Sequence, residues 1–181
     1  MPATDDYIDS QGFRANVGII LISDEGRLFL GGRAGARGWQ FPQGGILRGE
    51  RAETALYREL EEEIGLERGD VEELGRTRSW LRYRLPPQFR RRNSTPLCIG
   101  QKQRWFLLRV HCRESDFCLD SCPKPEFDSW RWVKYWQPVR EVIYFKRRVY
   151  ERALEELAPL LFPEGVPARP HTNYLRQQQR R

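Results

Sequence analysis

The 181-residue sequence contains little cysteine and histidine and has no long hydrophobic run. Its four cysteines and two histidines match no usual zinc spacing, so free thiols are predicted. The longest apolar run, from Val17 to Ile22, is too short to span a bilayer. The first residues, with Asp5 and Asp6, lack the basic and then apolar pattern of an export signal, which predicts a cytoplasmic protein.

Positive charge predominates, although one segment is acidic. The chain carries 31 Lys and Arg residues against 25 Asp and Glu residues, a net charge of +6, whereas residues 38–67 are locally acidic. A basic protein with an acidic patch is compatible with a polyanionic partner and equally with an ordinary solvated surface. Composition does not decide between these alternatives.

The order of apolar runs and turn residues predicts an α+β fold in one domain, residues 8–162. Strands are predicted at 15–23 and 27–33 (a hairpin), 71–85, 97–110 and 126–135, with a loop or short strand at 38–46. Helices are predicted at 50–64, after Pro138 and at 145–161. The Pro-, Gln- and Arg-rich segment 163–181 is predicted to be a disordered basic tail.

The helix predicted at 50–64 has one apolar and one acidic face. The apolar face consists of Leu56, Leu60 and Ile64, and the acidic face of Glu59, Glu62 and Glu63. Glu61 points elsewhere. Three carboxylates at this spacing favour a hard divalent cation, Mg²⁺ or Mn²⁺, which would offset their repulsion. The alternative is a solvated acidic face.

The acidic helix lies within a longer pattern that decides between these alternatives. From Gly44 the chain reads G-x5-E-x7-R-E-L-x-E-E-x-G-L, filled by Gly44, Glu50, Arg58, Glu59, Leu60, Glu62, Glu63, Gly65 and Leu66. Every fixed position of the Nudix box is present, so the sequence resembles the Nudix hydrolases, which cleave a diphosphate bond. The resemblance implies an α/β/α sandwich with a mixed sheet.

The resemblance also implies roles for the residues of the box. It makes Glu59, Glu62 and Glu63 ligands of Mg²⁺, with a backbone carbonyl from Gly44 or its neighbour. It gives Glu50 and Arg58 a structural role as an ion pair that braces the loop, and Gly65 ends the helix. Glu59 or Glu63 is predicted to be the general base, with Glu126 as a further candidate.

Segments outside the box resemble the bacterial RNA 5′-pyrophosphohydrolases, which remove pyrophosphate from the 5′ end of RNA and so start its decay. They are "WQFPQGGI", "TRSWLRYRLP", "CIGQKQRWFLL", "PEFDSWRWVKYW" and "PVREVIYFKRRVY". The resemblance implies that Glu126 completes the metal site and that Arg33 and Phe145 sandwich a base. It implies phosphate or nucleotide contacts by Gln43, Lys102, Gln103 and Lys146. Gly38 departs from the subgroup, which often has serine there.

Two other functions are compatible with parts of this pattern. Dinucleoside polyphosphate hydrolases share the segment "PQGGI", and a module that only binds RNA or nucleotides would keep the fold while losing a metal-binding glutamate. The intact box argues against the second. We expect a monomer or weak oligomer, and the sequence leaves a protein activator open.

A basic lane for RNA is predicted along residues 76–92, where arginines alternate with aromatic and aliphatic residues. Its arginines are Arg76, Arg78, Arg82 and Arg84, followed by Arg90, Arg91 and Arg92 in a proline-bounded loop. The alternative for that loop is a solubilising surface.

Overall fold

The computed structural model describes residues 6–93 and 95–170. Its strands are β1 (Phe13–Ile22), β2 (Leu28–Arg33), β3 (Trp39–Gln40), β4 (Gln43–Gly45), β5 (Val71–Arg76), β6 (Leu81–Arg84), β7 (Gly100–Val110) and β8 (Phe127–Val133). Its α-helices are α1 (Ala52–Ile64), α2 (Gln137–Glu141) and α3 (Arg147–Leu157). Short 3-10 turns occupy Arg68–Asp70, Pro87–Phe89, Glu114–Asp116, Tyr144–Lys146 and Ala158–Leu160.

The strands form one mixed sheet with β1 at its centre. Strand β1 is parallel to β7, and all other pairings are antiparallel. On its other side β1 pairs first with β4 and then, at its end, with β2. Strands β5 and β6 pair with successive parts of β7, which leaves β6 at the edge of the sheet. The predicted α+β class with a mixed sheet is confirmed.

Helices cover both faces of the sheet. Side chains on the central strands alternate between the two faces, so each strand contributes to two separate cores. Ile20 and Trp105 belong to the core beneath α3, whereas Ile19 and Phe106 belong to the core beneath α1. Strand β1 is therefore buried on both sides, which explains its continuous apolar run. The result is the α/β/α sandwich that the resemblance implied.

Helix α1 follows its predicted amphipathic pattern. Leu56, Leu60 and Ile64 are fully buried against the sheet. Gly65 ends the helix with a φ of 74°, and its N–H donates to the carbonyl of Glu61 at 2.9 Å. A left-handed residue at this position favours glycine, so the predicted end of the helix is confirmed.

Most predicted elements lose one to three residues at an end, and two differ by more. The strand predicted at 71–85 is divided into β5 and β6 by a bend just after Thr77, whose N–H donates to the Trp105 carbonyl and whose Oγ1 accepts from the Trp105 N–H. The helix predicted at 145–161 is α-helical only from Arg147 to Leu157. Beyond Leu157 it tightens into a 3-10 turn that contains Pro159, a residue without an N–H to continue the helix.

The first part of the segment predicted to be a disordered tail contacts the domain. Trp136 Nε1 donates to the carbonyl of Pro167 at 2.7 Å, and the Arg169 guanidinium lies 4.6 Å from the Trp136 ring centroid. Arg169 also pairs with Glu151 and Glu155 on α3. Residues 171–181 lie outside the described residues. In the part of the chain that the structure describes, no helix combines the length and apolarity needed to cross a bilayer.

Candidate active site

Two buried glutamates of α1 face the short strand β4. Glu59 and Glu63, one helical turn apart, are only 8% and 7% exposed. The Gln43 N–H donates to Glu63 Oε2 at 3.1 Å. A Cβ atom added to Gly44 would lie 1.8 Å from Glu59 Cδ, so only glycine leaves room for this carboxylate against the backbone.

Arg58 ties the loop before α1 to the helix and orients one of these carboxylates. Its Nε and Nη2 atoms each donate to an oxygen of Glu50 at 2.9 Å, and Nη2 also donates to the Gly45 carbonyl at 2.8 Å. Its Nη1 donates to Glu59 Oε1 at 2.6 Å. The ion pair predicted for Glu50 and Arg58 is thus present, and Arg58 also holds Glu59, a contact that the sequence did not predict.

The third predicted ligand, Glu62, lies at the rim of the acidic face. Its side chain is 46% exposed, and its nearest ion-pair partner is Arg58 at 3.7 Å. Within residues 6–93 and 95–170, no three acidic, histidine or cysteine side chains converge into a preassembled metal site. Like charges at helical spacing repel one another, which favours separation of these carboxylates when no cation lies between them.

The chemistry of the buried pair fits a divalent cation. Burial raises the pKa of Glu59 to about 7, although the adjacent Arg58 opposes this shift. Burial also raises the pKa of Glu63 well above its usual value, and the nearby Glu59 and Glu126 carboxylates add to the effect. All the donors are oxygens, as Mg²⁺ and Mn²⁺ prefer, and a cation would offset the cost of burying two carboxylates.

A cleft of about 240 Å³ adjoins this acidic pair. It brings together five predicted site residues: Arg33, Gln43, Glu126, Phe145 and Lys146. Gln40 links two of them, because its Nε2 donates to Glu126 Oε1 at 2.8 Å and its Oε1 accepts from Lys146 Nζ at 3.3 Å. Burial, followed by the positive charge of Arg33, lowers the pKa of Lys146 to about 8.

A model of the NUDIX domain matches residues 12–153. The chain belongs to the Nudix family. An RNA pyrophosphohydrolase from Alkalilimnicola ehrlichii is 60% identical over 163 residues, covering 90% of each chain. Another from Thioalkalivibrio sulfidiphilus is 61% identical over 160 residues, covering 88% of this chain and 92% of its own.

Solved structures show the same fold at much lower identity. The E. coli dihydroneopterin triphosphate pyrophosphohydrolase superposes with a TM-score of 0.61 at 15% identity, covering 76% of this chain and 92% of that chain. The similarity shows that the Nudix fold is shared.

Two predicted contact residues of this Nudix domain lie outside the cleft. Lys102 is on the opposite face of the sheet from Gln101, and its Nζ pairs with Asp9 at 2.9 Å. Gln103 is fully buried and donates to Asn16 Oδ1 at 2.8 Å and to Gln43 Oε1 at 3.2 Å. Gln103 therefore holds the side chain of Gln43, which does line the cleft, whereas Lys102 and Gln103 themselves do not line it.

The sequence interpretation did not assign several lining residues to the cleft: Arg37, Trp39, Gln40, Tyr83, Leu85, Phe89, Gln101 and Ile143. Tyr83, Leu85 and Phe89 fell within the predicted basic lane instead. Strand alternation could have found two of them. Because β6 and β7 pair with Tyr83 opposite Gln101, these two side chains share one face of the sheet. To know from the sequence that this face lines the cleft, one would need the register in which β6 pairs with β7.

The predicted basic lane is divided in the structure. Arg76 is engaged by Glu53 and Glu73. Arg90 Nε donates to the Leu85 carbonyl at 2.7 Å, which holds the start of the proline-bounded loop against the end of β6. Arg82 and Arg84 are exposed, on the face of the sheet opposite Tyr83.

Proposed function

We propose that this protein is a Mg²⁺-dependent hydrolase that removes pyrophosphate, in one step or as phosphates stepwise, from the 5′ end of RNA. The observation that carries the proposal is the cleft, where cationic and aromatic side chains adjoin two buried carboxylates. The high identity to two RNA pyrophosphohydrolases over most of the chain supports it. Residues 8–162 form the catalytic domain in this proposal, and the activity initiates mRNA decay in the cytoplasm.

The residues that would hold the cation are Glu59, Glu62, Glu63 and Glu126, with a carbonyl oxygen from Gly44 or its neighbour. Mn²⁺ suits the same oxygen donors. When bound, a divalent cation neutralises phosphate charge and promotes ionisation of water. Glu126 reaches this group from across the cleft, held by Gln40. The hydrogen bond from Arg58 Nη1 holds the Glu59 carboxylate against β4.

The other residues bind and orient the 5′ phosphates. Arg33, Gln43 and Lys146 line the cleft, where they can hold the phosphate chain in line for attack by water. Hydrolysis between the α- and β-phosphates then releases pyrophosphate. Glu59 or Glu63 accepts the proton of the attacking water, a contribution of roughly 10²–10⁴-fold to the rate.

Substrate comparison tests the proposal. Purified protein with Mg²⁺ is incubated in parallel with 5′-triphosphate RNA, 5′-diphosphate RNA and diadenosine tetraphosphate, and phosphate and pyrophosphate release are followed. We expect the highest kcat/KM on RNA and no release in EDTA. Faster turnover of the dinucleotide would instead assign the protein to the dinucleoside polyphosphate hydrolases, and binding of RNA without turnover would indicate an inactive module.

Phe145 is predicted to stack on a base of the RNA. It is half-buried in the cleft wall, with ring centroids 5.0 Å from Phe89 and 5.9 Å from Tyr83. We expect Phe145→Ala to weaken RNA binding by about 1–3 kcal/mol, the usual loss of one stacking platform, with a much smaller effect on a nucleoside triphosphate. Binding is measured by fluorescence anisotropy.

The neighbouring Tyr144 supplies the matched control. It belongs to the same 3-10 turn and is exposed, and its ring meets the Phe145 ring edge-on at 5.4 Å without itself lining the cleft. Tyr144→Ala should leave RNA binding unchanged. If Phe145→Ala lowers the melting temperature sharply and weakens both ligands equally, Phe145 is a core aromatic and not a base platform.

A further inference from the structure

Near the edge strand β6, the face of the sheet that lies on the α1 side carries cationic and aromatic side chains. Alternation along β6 directs Leu81 and Tyr83 into the core beneath α3, so Arg82 and Arg84 point the other way. Arg82 pairs in register with Lys102 of β7. We call this surface the basic–aromatic face; it consists of Tyr7, Trp80, Arg82, Arg84, Lys102 and Arg104.

The basic–aromatic face has an excess of uncompensated positive charge. Lys102 is neutralised by Asp9. By contrast, Arg82, Arg84 and Arg104 form no ion pair with any acidic side chain in residues 6–93 and 95–170. Arg104 Nη1 donates only to the backbone carbonyl of Arg78, at 2.5 Å, and so keeps its charge available. Three arginines on one open surface favour a polyanion.

Two partly exposed aromatic rings lie among these cations. Trp80 is 37% exposed and Tyr7 is 39% exposed. Lys102 Nζ lies 5.4 Å from the Trp80 ring centroid and 5.1 Å from that of Tyr7, while Arg104 Cζ lies 5.7 Å from Trp80. Aromatic rings among cations are the combination with which proteins bind single-stranded nucleic acid, because bases stack while phosphates pair with the cations.

The face is continuous with the cleft across a single strand. Tyr83 and Leu85 line the cleft on one side of the edge strand, whereas Arg82 and Arg84 project from its other side. No strand pairs with the outer edge of β6 in the described part of the sheet. A chain that leaves the cleft over this edge meets the arginines directly.

We propose that the basic–aromatic face binds the single-stranded RNA that follows the 5′-terminal nucleotides, while the 5′ end occupies the cleft. The inference rests on the proposed function for its substrate, but its binding test does not need catalysis. It replaces the predicted basic lane. Trp80, Arg82 and Arg84 are common to both, the face adds Tyr7, Lys102 and Arg104, and it leaves out Arg76, Arg78 and the Arg90–Arg92 loop.

Binding of a 5′-hydroxyl RNA separates this proposal from the hydrolytic one. An unstructured RNA of about 16 nucleotides, the upper end of the site sizes of OB folds that bind single strands, is titrated against the protein and against Arg82→Ser/Arg84→Ser. We expect the double variant to bind about tenfold more weakly at moderate salt. Loss of two phosphate contacts should also flatten the log–log salt slope by about 1.4. Trp80→Ala should weaken binding without changing this slope.

A second arginine pair controls for net charge. Arg27 and Arg113 are exposed at the opposite end of the sheet, beyond the ends of β1 and β7. Arg27→Ser/Arg113→Ser removes the same charge and should leave both the Kd and the salt slope close to those of the parent. Equal weakening by the two pairs would overturn the proposal, as would an unchanged Kd in Arg82→Ser/Arg84→Ser. Binding of poly-glutamate in place of RNA would also overturn it.

Turnover then distinguishes failure of this proposal from failure of the proposed function. With triphosphorylated RNA of the same length, Arg82→Ser/Arg84→Ser should lower kcat/KM about as much as it weakens binding. With a triphosphorylated dinucleotide, which lacks the downstream nucleotides assigned to the face, the same variant should keep the kcat/KM of the parent. Equal losses on both substrates would overturn the face as an RNA site. If the parent hydrolyses neither RNA, the proposed function fails, while the 5′-hydroxyl titration still decides the face.

Discussion

Glu63→Gln is expected to lower kcat on triphosphorylated RNA by roughly 10²–10⁴-fold, the usual contribution of a catalytic proton acceptor. The residue is a buried carboxylate held by the Gln43 N–H and close to Glu59 and Glu126. Glutamine keeps the shape of the side chain but removes its negative charge. A full-rate variant would show that Glu63 is neither a cation ligand nor the base.

The same variant has a second readout, in stability. In EDTA we expect Glu63→Gln to melt at the same or a higher temperature, because a buried carboxylate beside two others is costly. Added Mg²⁺ should stabilise the parent, by about 2.7 kcal/mol at a hundredfold excess over Kd, and the variant far less. Glu61→Gln is the control: Glu61 is exposed, and its replacement should change neither rate nor Mg²⁺ response.

Gly44→Ala is expected to reduce activity by about 10²-fold, the cost of misplacing a catalytic group by about 1 Å. The new Cβ would lie 1.8–2.1 Å from the carboxylate atoms of Glu59. Because that carboxylate is the end of a flexible side chain, it can move aside without unfolding the domain. We therefore expect a large loss of kcat/KM with a small change in melting temperature.

Gly69→Ala is the matched control for Gly44→Ala. A Cβ at Gly69 meets no atom within 4 Å, and no positive φ is required there. It should retain the activity and stability of the parent. Near-normal turnover by Gly44→Ala would mean that Glu59 does not need its place against β4, and would argue for Glu63 as the base.

The amphipathic helix was predictable from sequence because its information is local. The spacing of Leu56, Leu60 and Ile64 determines which face is buried, and Gly65 ends the helix in a conformation that favours glycine. The pairing of Glu50 with Arg58 lies within one loop–helix unit, and the resemblance to the Nudix box implied it.

Tertiary structure decided the composition of the cleft, because its walls come from strands far apart in sequence. Which of Gln101 and Lys102 faces the cleft depends on how β7 pairs with β6, and a shift of one residue would exchange them. The bridge from Glu126 through Gln40 to Lys146 joins residues 86 and 106 positions apart, which no local pattern encodes. The sequence determined the acidic helix, and the packing of the sheet determined what faces it.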